Sequence, residues 1–267
     1  MKKIEPCGIA TLITDFGLAD QYVGAMKGVI LSSAPRATLI DISHEVPPHD
    51  RIGAGYLLEQ THAHFPEGTI HLVVVDPGVG TARSAVMVRT RAHFLVGPDN
   101  GCLDGAIRAS GIEGSWEIVR SDRPTSPTFH GRDLFAPLVG RMLAGHDPAP
   151  FVKPIRYRPS TAAHFHRIVR SGSKRCLLGR VIWIDRFGNV VTGIRREHFG
   201  GRKPGPALEG EIGGAPVHGL FRTYQEADSG APFFLWGSGD YLEISMRERS
   251  AASELGVRIG CTVKVTL

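Results

Sequence analysis

A carboxylate, a guanidinium and an imidazole, far apart in a 267-residue chain, are its most reactive combination of side chains. Asp76 ends the apolar run Ile70-His-Leu-Val-Val-Val75 and opens Asp76-Pro-Gly-Val-Gly-Thr-Ala-Arg83. A glycine turn after a buried strand can fold Arg83 back onto Asp76, and an arginine beside a carboxylate favours its ionised form. Such a pair could hold a charged carboxylate in an apolar pocket. It could equally be a structural ion pair closing a turn, and the spacing leaves both readings open. His130 lies in Thr128-Phe-His-Gly-Arg-Asp133, at the entrance to the apolar stretch Leu134 to Leu143. An imidazole there is a candidate polarising group near neutral pH, or one more of twelve histidines satisfied locally. Asp133 or Thr128 is also a candidate cap for that helix.

Asp15, in Thr14-Asp-Phe-Gly17, could bind sugar hydroxyls as acids at strand ends do in nucleotide sites. It could also cap the next helix. Asp185-Arg-Phe-Gly-Asn189 reads as a turn with glycine in the left-handed position, and an exposed Phe187 there calls for something flat to pack on it. Tyr224 and Trp236 read as core or interface aromatics. No Walker A loop, HExxH or GxSxG occurs. Gly78-Val-Gly-Thr81 lacks the third glycine of a dinucleotide fingerprint because position 83 is Arg. A metal-dependent hydrolase built on Asp15, Asp76 and Asp99 is a further reading.

The elements that must position these residues fall into two textures. Ile9 to Ile13, Ala37 to Ile42, Thr69 to Val75, Ala85 to Val88 and His93 to Val96 read as strands. Gln21 to Ser32 and Arg51 to Thr61 read as helices, with Val23, Met26, Val29 and Ile30 on one face of the first. Alternation of this kind predicts an α/β domain over residues 1–155 with a mostly parallel sheet, its ligand at the carboxyl ends of the strands. Ala149 to Ser171 reads as a connector, and short strands with glycine-rich turns, including Gly210 to Gly219, follow. They predict a smaller all-β, barrel-like domain over residues 170–267.

Apolar residues make up 42% and charged residues 21%, and the net charge is +5, which describes an ordinary globular chain. The 33 glycines and 18 prolines point to many tight turns. Lysines and arginines are scattered, so nucleic acid is not an expected partner. Cys7, Cys102, Cys176 and Cys261 form no CxxC, so neither a structural zinc nor a disulfide framework is expected, and a reducing compartment fits. With no run of 18 apolar residues, no membrane association is expected, and the cytoplasm is the expected location.

In this order, the segments resemble the S-adenosylmethionine hydroxide adenosyltransferase family, relatives of the fluorinase and chlorinase. The resemblance runs through Thr14-Asp-Phe-Gly17, Asp41-Ile-Ser-His44, Val73-Val-Val-Asp-Pro-Gly-Val-Gly80 and Gly97-Pro-Asp-Asn-Gly101. It continues through Thr128-Phe-His-Gly-Arg-Asp133 and Asp185-Arg-Phe-Gly-Asn189 to Tyr241-Leu-Glu-Ile244, nearly the whole chain. It implies opening of S-adenosyl-L-methionine at ribose C5′, giving adenosine and L-methionine, in a homotrimer with active sites between subunits and no cofactor. The hydrolytic branch carries an Asp–Arg–His set, which falls on Asp76, Arg83 and His130. The halogenating branch replaces that Asp and carries an extra loop, for which the interval between Arg83 and His130 leaves no room. The resemblance further implies Asp15 at the ribose diol. It places Asp185, Phe187, Asn189 and Tyr224 near the adenine, with Ser238 and Arg247 among the remaining substrate contacts. Many hydrolases have Gly-Asn-Ala-Ala where this chain has Arg249-Ser-Ala-Ala252. A halogenase, a hydrolase of another adenosyl sulfonium and a non-catalytic adenosine- or S-adenosylmethionine-binding module are the alternatives.

Overall fold

A computed structural model describes residues 4–119, 121, 124–160, 167–171 and 174–267. It divides into two compact units, Met1–Ser160 and Thr161–Leu267. The first contains β1 (Ile9–Thr14), α1 (Tyr22–Ser33), β2 (Thr38–Ser43), α2 (Arg51–Thr61), β3 (Ile70–Val74) and β4 (Ala85–Arg89). It continues with β5 (Phe94–Pro98), α3 (Asp104–Ser110), β6 (Gly114–Ile118), α4 (Ala136–Leu143) and β7 (Val152–Pro154).

The seven strands form one sheet in the order β2-β1-β3-β5-β4-β6-β7. The expectation of a mostly parallel sheet needs correction. β2, β1, β3 and β5 run parallel, but β4 pairs antiparallel with both β5 and β6, and β6 with β7. The reason is loop length. Only Thr90 to His93 separate β4 from β5, and a connection that short joins antiparallel neighbours, whereas a parallel pair needs a crossover of a dozen residues or so.

Side chains alternate across the strands, and the core follows that alternation. Leu12, Leu72 and Val74 pack with Met26, Ile30, Phe135, Leu138 and Val139 against α1 and α4. Ile13, Val73 and Leu95 pack with Ala54, Leu58, Ala106 and Ile107 against α2 and α3. The central strands are buried on both faces, so the continuous run of β3 shows no polar alternation. On the α2 side His71 lies against His62 and His93, with ring centroids 6.3 and 5.0 Å away. Its Nδ1 meets Thr11 Oγ1 at 2.8 Å. Burial, reinforced by the two neighbouring histidines, pushes its pKa down to about 3.

The second unit contains β8 (Arg167–Ser171), β9 (Lys174–Ile184), β10 (Val190–Arg195), β11 (Glu209–Ile212), β12 (Ala215–His218) and β13 (Leu220–Phe221). It ends with β14 (Phe233–Trp236), β15 (Tyr241–Ser245), the short helix α5 (Ala251–Glu254) and β16 (Thr262–Thr266). Its path is β12-β11-β16-β9-β10-β15-β14-β13, with β8 beside β9. Gly219 joins the two edge strands. Its N–H donates to Leu208 O at 2.9 Å and its carbonyl accepts from Phe234 N at 2.8 Å, so the sheet is nearly closed, like a barrel. Leu177, Val181, Val190, Phe234, Leu242, Ile244, Val263 and Val265 fill it. The segment expected as a connector contains β7 and β8, whose few residues carry no period; its residues 161–166 lie outside those described.

Candidate active site

Asp76 lies just beyond β3 and Asp15 just beyond β1. These strands are parallel neighbours with Thr14 opposite Val74, so both carboxylates stand at the same sheet edge. The turn after Asp76 is tight. Gly80 has φ +78°, and a Cβ there would lie 2.7 Å from Pro127 O, so this turn packs directly on the loop carrying His130. That packing requires glycine.

Arg83 returns to Asp76 as the sequence suggested. Its Nε donates to Asp76 Oδ1 at 2.9 Å, and Nη2 donates to Oδ2 in the second arm of a bidentate pair. The same Nη2 donates to His130 Nδ1 at 2.8 Å. The Asp76 and Arg83 side chains are only 6% and 11% exposed, and the guanidinium lies over the Phe135 ring at 5.5 Å. A guanidinium has no lone pair to offer, so His130 Nδ1 must accept, and the neutral ring carries its proton on Nε2. Burial and the charge of Arg83 lower the His130 pKa below 6.5, against the opposing pull of Asp76 and Asp133.

His130 is followed by a π-helical turn, Gly131–Phe135, that leads into α4. Neither Thr128 nor Asp133 caps this helix. Asp133 instead is buried, accepts the Ser126 N–H at 2.9 Å and pairs with Arg132, tying down both ends of the loop. Gly131 packs so closely that an added Cβ would sit 3.0 Å from Met26 Sδ. Phe16, Tyr22 and Phe129 stack edge to face at 5.2–5.9 Å, joining the Asp15 turn to the His130 loop.

Asp15 is not the cap of α1, whose N-cap position is Gln21. Its Oδ2 accepts from His49 N at 2.8 Å, and His49 has φ +68°, a strained conformation for a residue with a side chain. Asp99 is drawn elsewhere: burial and the charge of Asp104 raise its pKa. Among the described residues no group of three or more His, Cys, Asp or Glu is placed to hold a metal ion.

In the second unit, an open cleft of about 640 Å³ is lined by Asp185, Phe187, Asn189, Tyr224, Met246, Glu248, Arg249 and Ser250. Four of the predicted substrate residues thus share one wall. Asp185 Oδ1 accepts from Phe187 N at 2.9 Å and Asn189 N at 2.8 Å, while Asn189 Nδ2 donates to Oδ2 at 2.8 Å. This turn presents Phe187, 78% exposed, to solvent, and Tyr224 is 43% exposed. Flat apolar rings displayed beside rigid polar groups suit a planar, hydrogen-bonding ligand. Ser238 and Arg247 are not part of the lining: Ser238 is exposed in the turn before β15, and Arg247 Nε lies 3.8 Å from Glu248. Glu243, which carried no sequence signal, has its pKa pushed up to about 7 by burial and by Asp185.

Models of the SAM hydroxide adenosyltransferase N-terminal and C-terminal domains match residues 10–151 and 179–264. The chain belongs to the SAM hydroxide adenosyltransferase family. It is 35% identical over 263 residues to an (R)-S-adenosyl-L-methionine hydrolase of Thermus thermophilus, covering 95% of this chain and 97% of the relative. A fluorinase of Actinoplanes sp. is 27% identical over 305 aligned positions, covering 97% of each. A structure of an uncharacterized conserved protein from Thermotoga maritima superposes with TM-score 0.82 at 30% identity, covering 96% of this chain and 99% of that one. Within the family fold, the Asp76–Arg83–His130 cluster belongs to the N-terminal domain and the cleft of Phe187 and Asn189 to the C-terminal domain.

Proposed function

We propose that this protein hydrolyses S-adenosyl-L-methionine at C5′ of the ribose, giving adenosine and L-methionine. The observation that carries the reading is the convergence of Asp76, Arg83 and His130 in a chain with full-length similarity to an (R)-S-adenosyl-L-methionine hydrolase. The fluorinase relative is more distant, and its 305-position alignment exceeds the 267 residues of this chain, consistent with extra segments on its side.

In the step proposed, water oxygen attacks C5′ as the C5′–S bond breaks, and sulfur keeps the bonding pair. The thioether leaves neutral and needs no general acid. The difficulty lies in the nucleophile, which must be held in line at about 3–3.5 Å from the carbon, with other solvent excluded. Asp76 accepts a hydrogen bond from that water and takes its proton as the C–O bond forms. The attacking oxygen becomes strongly acidic at that stage, so a carboxylate within an ion pair suffices as acceptor. His130 donates from Nε2–H to the same oxygen and fixes its position. Arg83 orients both partners at once. Asp15 binds the ribose diol, and the Asp185–Asn189 turn with Tyr224 receives the adenine. No cofactor takes part; the sulfonium is the substrate. The enzyme acts as a cytoplasmic homotrimer with active sites between subunits, and neither nucleic acid nor membrane is a partner.

The test is chromatography of products after incubation with S-adenosyl-L-methionine in halide-free buffer containing a strong chelator. Adenosine and methionine in equal amounts are expected. Saturable binding without products would make the protein a binding module, and a 5′-halogenated nucleoside formed only with added halide would make it a halogenase.

His130 gives a second expectation. An imidazolium loses the lone pair that accepts from Arg83 and adds a like charge beside the guanidinium. The competent form is therefore neutral, and kcat/KM should fall on the acid side with a midpoint below 6.5, the direction in which burial and Arg83 move this group. A pH–rate profile checks it: in His130→Gln this limb should vanish along with most of the activity, and a wild-type limb centred well above 6.5 would contradict the assigned protonation state.

A further inference from the structure

The Asp41-Ile-Ser-His44 segment has no part in the chemistry above, yet it meets the Asp15 turn in three ways. First, β1 and β2 pair in regular parallel register as far as Leu12 opposite Asp41; then the register shifts, and Ile13 stands opposite Ser43. Bulges are rare between parallel strands and recur beside active sites, where they re-aim a side chain. Second, His44, itself only 3% exposed, brings its Nδ1 to 2.8 Å from Thr14 Oγ1, while its own carbonyl accepts from Gly17 N at 2.8 Å. The residue thereby holds both ends of the Thr14–Gly17 turn. Third, the chain of contacts has one consistent direction. Lys27 Nζ and His44 Nε2 lie 2.5 and 3.0 Å from the two Asp41 oxygens, which favours the ring proton on Nε2. Nδ1 is then free to accept from the Thr14 hydroxyl, whose oxygen accepts from Phe16 N at 3.3 Å.

We propose that His44 is a positioning residue for Asp15: through Thr14 and Gly17 it fixes the turn that presents the Asp15 carboxylate to the ribose diol. The proposal rests on the reading of Asp15 given above. Asp15 needs such support because its other restraint, the His49 N–H, comes from a residue in a strained backbone conformation.

The experiment is steady-state kinetics of adenosine formation by wild type, His44→Ala, Thr14→Val and Thr14→Ser, with S-adenosyl-L-methionine and its 2′,3′-dideoxy analogue. His44→Ala and Thr14→Val should raise KM about tenfold, the worth of one hydrogen bond to a charged group, with kcat within about threefold of wild type. Thr14→Ser, which keeps the hydroxyl, should restore the wild-type KM. With the dideoxy analogue, or in an Asp15→Ala background, the penalty should disappear, because no diol contact is left to misplace. Thr14→Val preserves shape and carries the test if His44→Ala does not fold. Unchanged KM in both variants, or an equal penalty on the dideoxy analogue, overturns the proposal. A wild type that handles both substrates equally overturns the diol role of Asp15, and with it the proposal. A wild type that forms no adenosine fails instead at the level of the reaction.

Discussion

Asp76→Asn should lower kcat for adenosine formation by about 10³-fold while leaving the dissociation constant for S-adenosyl-L-methionine within about threefold. The substitution keeps the size and planarity of the side chain but removes the charge and one acceptor. An amide NH2 in place of Oδ2 would face Arg83 Nη2, donor against donor, so the fork can be kept on only one arm. Arg83 Nη2 also orients His130, so one exchanged atom disturbs proton acceptor and oxygen-positioning group together. Adenine and ribose contacts lie on other residues, which is why affinity should survive. Rapid-quench turnover and calorimetric binding on the same preparation separate the two quantities. Adenosine formation at the wild-type rate would remove Asp76 from the mechanism. Arg83→Lys should fall nearly as far, since a point charge reproduces neither the bidentate pair nor the simultaneous contact to the imidazole.

The largest expected effect in the second unit comes from Gly188→Ala. Gly188 has φ +86°, and an added Cβ would lie 2.0 Å from Ser250 Oγ, 2.5 Å from its Cβ and 2.8 Å from its Cα. Rotating a side chain does not relieve contact with a backbone atom. Ser250 is also fixed, because its Oγ caps α5 by accepting from Ser253 N at 3.1 Å, and Ala252 N donates to Gly188 O at 3.0 Å. Left-handed strain and overpacking together should cost about 2–4 kcal/mol, felt mainly as displacement of the turn carrying Phe187 and Asn189. KM should rise more than about thirtyfold with a smaller change in kcat. Adding Ser250→Gly should recover part of the loss by removing the clash while leaving the strain. Unchanged kinetics in Gly188→Ala would detach this turn from substrate binding.

The difference between what was legible in sequence and what was not follows from how local each constraint is. The β3 run, α2 and β14 are written in short-range pattern, and the structure places them where the pattern does. The return of Arg83 to Asp76 could be inferred because a glycine turn over so few residues has little choice. His130 joining them could not be inferred from spacing, since it depends on the Asp133–Ser126 tie and on Gly131 fitting against Met26. That pairing came from the resemblance alone. Sheet direction was misjudged because β4 and β5 were treated as further strands of a parallel series, although the four residues between them already specify a hairpin. The hairpin of β11 and β12 was hidden in what reads as glycine-rich turn. The departure at Arg249-Ser-Ala-Ala252 has a simple local basis. Ser250 occupies the N-cap of α5, a position that serine and asparagine both fill well, and Ala251 and Ala252 behind it are buried.

The π-helical turn after His130 sets an angle as well as a spacing. It holds one residue more than an α-turn between its bonded groups. Were a residue deleted from Gly131–Phe135, α4 could continue upstream as an ordinary helix, but everything before the deletion would rotate about its axis by roughly 100°. The imidazole would then swing out of reach of Arg83, with no change in the identity of any reactive group. The extra residue acts as an angular offset, and a chain that kept Asp76, Arg83 and His130 but lost it would carry the full set of letters in the wrong orientation.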